Sequence, residues 1–267
     1  MNDLAVLLGH LCHEPAVLVR VAQVQGSGPR EVGAWMAVFS GALVGTIGGG
    51  HLEWQAVAHA RAALAGSPLR GLQRHALGPS LGQCCGGVVH LAFEAVTTSD
   101  AERLRTALAV PGWPLALFGG GHVGQALVRA LAPLPFSLTW IDSRDEIFPS
   151  EVPPHVRCEH SDPVDGAVRD LVSGSAVLIM SFSHAEDLDV LAACLQRQRE
   201  VGDLRWIGLI GSQTKWASFR HRLEDRGYTE ADWAAVTCPI GLAGIRGKQP
   251  AVIAASVAAQ LLQVFGA

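Results

Sequence analysis

A glycine-rich turn between a strand pattern and a helix pattern constrains the fold of this chain most strongly. Residues 114–132, PLALFGGGHVGQALVRALA, hold an apolar run, the spacing G-x-G-x-x-G at Gly119, Gly121 and Gly124, and then a helical pattern. Asp142 ends the next apolar run, roughly 20 residues beyond the motif. Such glycines allow a tight turn and close approach of a pyrophosphate, and the acid accepts from a ribose hydroxyl. The pattern predicts a Rossmann-like unit in which the three glycines and the acid bind a ligand; the alternative is that the glycines serve packing only and that no NAD binds.

Strand and helix patterns alternate through the rest of this half. Apolar runs at 136–142, 156–160, 175–182 and 206–212 are separated by helical or loop segments, and a last helix is expected over 249–265. This alternation is typical of a parallel sheet with helices on both faces. Such a sheet binds ligands at the carboxyl ends of its strands. Further binding residues expected on those loops are His122, His184, Lys215 and Cys238.

The first half predicts a small α+β domain. A helix near 2–13 precedes a strand, and a hairpin joined at Ser40-Gly41 precedes a helix that follows Gly48-Gly49-Gly50. Two more strands are expected near 70–76 and 87–96.

A boundary between the two halves is expected near residues 97–113. The segment opens with a possible capping box, Ser99 with Glu102, and closes on Pro111-Gly112 and Pro114. We therefore predict an α+β domain over 1–97, a linker over 98–113 and a Rossmann-like domain over 114–267.

The composition excludes several classes of protein. Apolar residues make up 49% and charged residues 16% of the 267 residues, as in a globular protein. A net charge of −4 and the lack of a basic cluster argue against nucleic-acid binding. The longest apolar stretch, 251–265, is shorter than the roughly 20 residues that a bilayer requires. With no signal-peptide pattern and six scattered cysteines, a cytoplasmic protein without membrane or nucleic-acid partners is expected.

Two adjacent cysteines, Cys84 and Cys85, lie in the glycine-rich stretch GQCCGG. The pair lacks the C-x-x-C spacing of structural zinc sites, and a disulfide between neighbours is strained. One interpretation is a pair of small buried hydrophobic residues, as free cysteines usually are. The other is a pair of exposed thiols, whose thiolate form the flanking backbone N–H groups would favour.

These segments together resemble the XdhC/CoxI family, accessory proteins that mature molybdenum hydroxylases such as xanthine dehydrogenase. The blocks that carry the resemblance are GSGPREVGAWMAV, GTIGGGHLE and LGPSLGQCCGG in the first half, and LFGGGHVGQAL, WIDSR and IGLIGSQTKWASFRHRL in the second. The resemblance implies a chaperone that binds molybdenum cofactor (molybdopterin), holds it for sulfuration and delivers it to the client. It also implies three partners: a xanthine dehydrogenase-like large subunit, a cysteine desulfurase as sulfur donor, and further copies of the same chain.

The resemblance implies binding residues in the first half as well. Cys84 and Cys85 would contact molybdenum, which is thiophilic, or carry its sulfur, and Arg30 would bind a phosphate or pterin oxygen. Glycine turns would bind the cofactor phosphate. The alternative is that Arg30 and Glu31 are solvated turn residues. Glu53, which follows the glycines, could interact only with the helix dipole. The cofactor-binding residues expected in this half are Arg30, Glu31, His51, Gln83, Cys84 and Cys85.

Two other functions stay open at this point. An NAD-dependent oxidoreductase could use the glycine turn and Asp142, with Cys84 as nucleophile. A nucleotide-sensing module would need only the Rossmann-like half. We expect an accessory protein rather than a turnover enzyme.

Overall fold

The computed structural model of this protein describes residues 3–77, 86–109 and 112–266. The chain divides into two compact units, residues 1–109 and 110–267. Their contents confirm the expected α+β unit and the expected parallel α/β unit, and the sheet of the first unit is antiparallel.

The first unit is built on a five-stranded antiparallel sheet. Its strands are β1 (Ala16–Gln25), β2 (Trp35–Val38), β3 (Leu43–Gly45), β4 (Leu72–Ala76) and β5 (Val88–Val96). Its helices are α1 (Asp3–Leu11), α2 (Gly50–Leu64) and α3 (Ala101–Leu108). The strand order is β3-β2-β1-β5-β4, and the predicted hairpin at Ser40-Gly41 joins β2 to β3.

Alternation along the central strand gives this unit two apolar layers. Val17, Val19 and Val21 on β1 pack on the side that α2 covers, whereas Ala16 and Leu18 pack on the opposite side with α1 and α3. Because side chains on a strand point alternately to opposite faces, one apolar strand supplies both layers. β1 therefore lies at the centre of the unit.

The segment expected as a linker belongs to the first unit. Thr97 and Asp100 form a capping box, two residues before the predicted one, and α3 follows directly. Leu104 and Leu108 of α3 are buried in the same cluster as Leu7 of α1. Apolar residues four positions apart form one stripe of a helix, and burying that stripe keeps the segment on the first unit.

The second unit is a doubly wound parallel sheet. Its strands are β6 (Trp113–Phe118), β7 (Phe136–Asp142), β8 (Arg157–His160), β9 (Ala176–Ile179), β10 (Trp206–Leu209) and β11 (Val236–Thr237). Its helices are α4 (His122–Leu131), α5 (His184–Glu200), α6 (Gln213–Asp225), α7 (Glu230–Trp233) and α8 (Pro250–Phe265). The strand order β11-β10-β9-β6-β7-β8 is that of the Rossmann fold, with the chain reversing direction across the sheet between β6 and β9.

Helices cover both faces of this sheet. Phe118 and Ile179 pack on the face of α5 and α6, whereas Leu117 and Leu178 pack on the face of α4 and α8. Strands buried on both faces are apolar at consecutive positions, which explains the unbroken apolar runs in the sequence.

No helix within residues 3–77, 86–109 and 112–266 is both long enough and apolar enough to cross a membrane. α8, which contains the longest apolar stretch, instead buries Val257 and Leu261 in the cluster that includes Leu127 of α4.

Replacing Leu104 by alanine should destabilise the first unit by about 2–4 kcal/mol, because the side chain is 1% exposed and its loss leaves a cavity. Amide hydrogen exchange should accelerate in β1 and stay unchanged in β6. The matched change Glu102→Ala, at a carboxylate 85% exposed on the same helix, should alter stability by less than about 0.5 kcal/mol. Unchanged exchange in β1 of the Leu104 variant would show that α3 does not belong to this unit.

Candidate functional site

The three glycines of the turn after β6 have different steric surroundings. Gly119 has a φ of 124°, and a Cβ there would overlap the carbonyl oxygen of Met180. A Cβ on Gly124 would overlap the carbonyl oxygen of Gly119. A Cβ on Gly121 would meet nothing within 4 Å. Gly119 and Gly124 are therefore required by the fold, whereas Gly121 borders open space where a ligand can approach the backbone.

Asp142 holds this turn to the sheet. Its carboxylate accepts from the Gly120 N–H at 2.6 Å, from the Arg144 N–H at 2.9 Å, and from Arg144 Nε and Nη2 at 2.9 Å each. Burial alone would raise the pKa of Asp142, but the hydrogen bonds from Arg144 and Gly120 outweigh it and hold the pKa below its usual range. A carboxylate offers about four acceptor sites, and four donors occupy them here. To accept from a ribose hydroxyl, as the sequence predicted, Asp142 would have to release one of these donors.

The loops beside Asp142 are tied together by Arg144 and Glu186. The Arg144 guanidinium lies 4.4 Å from the ring centroid of Phe182, whose side chain is exposed. The Glu186 carboxylate accepts from Ser143 Oγ at 2.9 Å and from the Phe182 N–H at 3.1 Å. Hydrogen bonds and a cation–π contact thus join the segments after β7 and β9 at the carboxyl edge of the sheet.

A buried ion pair joins the segments after β9 and β10. Lys215 Nζ lies 2.5 Å from Asp187 Oδ2 and donates to the Ile210 carbonyl at 2.8 Å. The side chains of Lys215 and Asp187 are 11% and 3% exposed. The other oxygen of Asp187 accepts from the Ser181 N–H at 2.6 Å. Lys215 was expected from the sequence, whereas Asp187 and Ser181 were not; an acid in the first turn of a helix is usually explained by the helix dipole alone.

Cys238 lies beside this ion pair. A Cβ built on Gly211 would be 2.9 Å from Lys215 Cδ and 3.4 Å from Cys238 Sγ, so both side chains lie close to that glycine. Burial raises the pKa of the Cys238 thiol to about 11, against a smaller opposing effect of Lys215. Cys238 is therefore a neutral thiol at neutral pH.

The two histidines expected at this edge begin helices. His122 is the first residue of α4 and is exposed, and His184 is the first residue of α5 and is exposed. The His184 ring lies edge-on to Phe219, with centroids 6.2 Å apart. The sequence-predicted residues of the second unit thus follow β6, β7, β9, β10 and β11 at one edge of the sheet.

Glycine-rich loops also meet in the first unit. Gly48 has a φ of 115°, and a Cβ there would lie 2.5 Å from Pro29 Cβ. A Cβ on Gly87 would overlap the Ser27 carbonyl oxygen and lie 2.6 Å from that of Gln25. Three segments that are remote in the sequence therefore approach with their backbones: the loop after β1, the turn before α2 and the start of β5.

Glu53 organises the turn before α2. Its Oε2 accepts from the N–H groups of Ile47 and Gly49, both at 3.0 Å, and from Thr46 Oγ1 at 2.5 Å. These bonds hold the turn in the conformation that presents the N-terminus of α2. The sequence suggested only a helix-dipole interaction for Glu53, because the partners precede it in a turn whose shape the sequence does not reveal.

Arg30 and Glu31 form an ion pair at this turn. Arg30 Nη2 lies 2.9 Å from Glu31 Oε1, and its Nη1 donates to the Thr46 carbonyl at 3.5 Å. The hydrogen bond from Arg30 lowers the pKa of Glu31 to about 2. His51, the next predicted residue, stacks on Trp54 with centroids 5.5 Å apart, and Trp54 is 66% exposed. The predicted residues Arg30, Glu31 and His51 are therefore grouped around the turn before α2.

Gln83, Cys84 and Cys85 lie outside the described residues. Gly86 and Gly87, which directly follow them in the sequence, begin the segment that packs on Ser27. In the described ranges, no group of three or more His, Cys, Asp or Glu residues is arranged to hold a metal ion.

The fold and these loops define a two-unit protein, an antiparallel α+β unit followed by a Rossmann unit with an open glycine turn. Residues 115–261 match the XdhC Rossmann domain, and residues 12–75 match the XdhC and CoxI family. The chain belongs to the XdhC/CoxI family.

Two individual proteins illustrate the similarity. The uncharacterized protein YqeB of Escherichia coli (strain K12) is 27% identical over 254 residues, which span 94% of this chain and 43% of YqeB. This chain thus corresponds to less than half the length of that relative. The crystal structure described as a xanthine dehydrogenase from Bacillus halodurans matches with a TM-score of 0.78, at 21% identity, over 100% of this chain and 96% of that one. At this identity the match shows a shared fold.

Alanine at Gly121 should weaken ligand binding, whereas alanine at Gly124 should lower the stability of the fold. Gly121→Ala places a Cβ in open space at a φ of −68° and should change stability by less than about 1 kcal/mol, while ADP affinity falls at least about tenfold. Gly124→Ala forces a Cβ into a backbone carbonyl and should cost about 1–3 kcal/mol. Denaturant unfolding and calorimetric titration with ADP measure both effects. Undiminished ADP affinity in the Gly121 variant would show that this turn is not a phosphate site.

Asp142→Asn should destabilise the protein by about 2 kcal/mol at pH 7, because it removes charge-assisted hydrogen bonds to Arg144 and Gly120. The folded pKa of Asp142 is lowered, so its contribution is complete above about pH 4 and is lost as the pH falls through the folded pKa. The difference in unfolding free energy between wild type and variant should therefore shrink below about pH 4. Asp145→Asn, at a carboxylate 84% exposed on the same loop, is the control and should change stability by less than about 0.5 kcal/mol. A difference that stays constant from pH 7 to pH 3 would contradict this assignment.

Proposed function

We propose that this protein is an accessory protein in the maturation of xanthine dehydrogenase-type enzymes, and that its cargo is the molybdenum cofactor. It binds the cofactor while a terminal sulfido ligand is installed on molybdenum and then delivers it to the large subunit of the client. Membership of the XdhC/CoxI family supports the link to xanthine dehydrogenase. A cysteine desulfurase is the sulfur donor in this proposal, and the protein acts in the cytoplasm as a homo-oligomer.

The observation that carries the proposal is the meeting of three glycine-rich segments in the first unit. Backbone segments approach each other at Ser27, Pro29, Gly48 and Gly87, where side chains would overlap. The turn at Gly48 exposes the N-terminus of α2, and helix N-termini bind phosphate. Arg30 lies at the same turn with its side chain 39% exposed, and it would bind an anionic oxygen in exchange for its ion pair with Glu31. These groups suit a phosphate-bearing cofactor approached by a thiol from the segment that precedes Gly86.

Three cysteines outside the GQCCGG stretch are poor candidates for a soft ligand. Only a thiolate is a good nucleophile or soft metal ligand. Burial raises the pKa of Cys194 to about 12 and of Cys238 to about 11, and it also raises the pKa of Cys158. Those three cysteines are neutral thiols at neutral pH. In this proposal the soft ligand comes from Cys84 or Cys85, where neighbouring glycine N–H groups favour the thiolate, with Gln83 as a further contact.

The cofactor supplies a molybdenum centre that accepts sulfur, and the residues of this chain hold and orient it. Phosphate groups suit the open turn at Gly121 as well as the turn at Gly48. In the second unit we assign binding to Gly119, Gly121, Gly124 and His122, which follow β6, together with Asp142, His184, Lys215 and Cys238 at the same edge of the sheet.

A second candidate function, nucleotide sensing, rests on the open glycine turn of the Rossmann unit. Gly121 borders free space, as a phosphate-binding glycine requires. Recognition of NAD through its ribose is less well supported, because the Asp142 carboxylate already accepts four hydrogen bonds. We therefore rank an NAD-dependent oxidoreductase below a nucleotide sensor.

Cys84→Ser and Cys85→Ser should each yield folded protein with less bound molybdenum cofactor, since oxygen replaces the soft ligand in an almost isosteric change. Stability should fall by less than about 2 kcal/mol. Molybdenum and pterin are measured per protein after expression in a molybdate-fed host, together with the activity and sulfido content of the client xanthine dehydrogenase.

Cys158→Ser is the matched control, because Cys158 is exposed on the edge strand β8 and its pKa is raised. Cys194 is a poorer control, since it is fully buried and a serine hydroxyl there would need a partner. Full cofactor content and full client activity in both the Cys84 and the Cys85 variant would refute the proposed role of the cysteine pair.

A further inference from the structure

The carboxyl edge of the Rossmann sheet carries an exposed aromatic ring. Phe182 lies in the segment between β9 and α5 and is 64% exposed. Within residues 112–266 it is the one phenylalanine, tyrosine or tryptophan that is exposed; the others there are buried or half-buried. Aromatic side chains gain most of their stabilisation from burial, which Phe182 largely forgoes. The ring is therefore accessible to a ligand at the edge of the sheet where ligands bind.

Contacts from neighbouring loops hold Phe182 in place. Its N–H donates to the Glu186 carboxylate at 3.1 Å, and that carboxylate also accepts from Ser143 Oγ, in the segment after β7, at 2.9 Å. The Arg144 guanidinium lies 4.4 Å from the centroid of the ring and makes two hydrogen bonds of 2.9 Å to Asp142. A ring that is held before binding loses less conformational entropy when a ligand contacts it.

Two sets of contacts place Phe182 beside the glycine turn. The Asp142 carboxylate, which holds the arginine against the ring, also accepts from the Gly120 N–H at 2.6 Å. In the segment of Phe182 itself, the Met180 carbonyl oxygen approaches Gly119 so closely that a Cβ would overlap it. The strands β7 and β9 flank β6, which leads into the turn. The ring and the turn therefore border the same crevice, where a Rossmann sheet binds nucleotides.

We infer that Phe182 is a nucleobase-binding residue: the base of a nucleoside diphosphate stacks on its ring while the phosphates bind at the Gly121 turn. Stacking on an aromatic side chain suits every base, because each base has a π-face. The nucleoside diphosphate is either a free nucleotide or the nucleotide part of a dinucleotide form of the molybdenum cofactor. The inference rests on the part of the proposed function that assigns phosphate binding to this turn.

The test is Phe182→Ala in the full chain, with calorimetric titration of ADP and of inorganic pyrophosphate. The affinity for ADP should fall at least about fivefold, because the variant loses the stacking contact. Pyrophosphate has no base, so its affinity should stay unchanged. Phe182→Trp keeps an aromatic face and should retain the ADP affinity. Because the side chain is exposed, the alanine variant should shift the unfolding midpoint by no more than about 3 °C.

The matched control is Tyr228→Ala. The ring of Tyr228 also lies 4.4 Å from an arginine guanidinium, that of Arg199. It follows the C-terminal end of α6, whereas the carboxyl edge of the sheet is at the N-terminal end of that helix. Its hydroxyl donates to the Ala192 carbonyl at 3.0 Å. This variant should unfold at a lower temperature, because it loses a hydrogen bond and packing, and it should keep its ADP affinity.

Three results would overturn the inference: full ADP affinity in Phe182→Ala, an equal loss of ADP and pyrophosphate affinity in that variant, or no ADP binding to the wild type. Failure of the proposed phosphate site is distinguishable, because Gly121→Ala would then keep its ADP affinity. ADP affinity that falls in Gly121→Ala and stays full in Phe182→Ala refutes the stacking role alone.

Molybdenum and pterin content after expression in a molybdate-fed host tests the proposed cargo separately. ADP binding that depends on Phe182, in protein without bound cofactor, supports this inference and refutes the cargo. Bound cofactor with full ADP affinity in Phe182→Ala does the reverse. Nucleotide released together with molybdenum from denatured wild type identifies the dinucleotide cofactor as the ligand, and nucleotide released without molybdenum identifies a free nucleotide.

Discussion

Close backbone contact at Gly119 determines the geometry of the Rossmann unit. The Met180 carbonyl leaves no room for a side chain on Gly119, and the Gly119 carbonyl leaves none on Gly124 in the first turn of α4. Trp140 Nε1 donates to the Gly119 carbonyl at 2.9 Å, so a buried indole holds the same peptide. The helix therefore begins against the sheet, and its N-terminus with the open Gly121 faces the crevice.

The first unit uses glycine in the same way, although its sheet is antiparallel. Gly48 against Pro29 and Gly87 against Ser27 bring three loops together, and Glu53 holds one of them through backbone N–H groups. Both units thus build their candidate sites from backbone rather than from many side chains. Backbone donors suit a ligand rich in phosphate oxygens, which is the chemistry common to nucleotides and to the proposed cargo.

Charges at the carboxyl edge of the Rossmann sheet are paired within the protein. Asp142 is paired with Arg144, and Asp187 with Lys215, each in a buried or half-buried setting. Such pairs contribute little net stability relative to apolar residues, but removing one partner leaves an uncompensated charge. They keep the loops of this edge in place beside the open Gly121 backbone.

The sequence by itself determined the α+β class of the first unit, the parallel architecture of the second, the glycine turn and the family, because local periodicity and motif spacing encode these features. It misassigned residues 98–108 to a linker, since the burial of Leu104 depends on contact with α1 far away in the chain. Tertiary structure also decided which groups donate hydrogen bonds to Asp142 and to Glu53. It likewise left Ser181 Oγ without a hydrogen-bond partner. Each of these features depends on contacts between loops that are remote in the sequence. The packing of whole sheets and helices decides which loops come into contact, and neighbouring residues in the sequence do not.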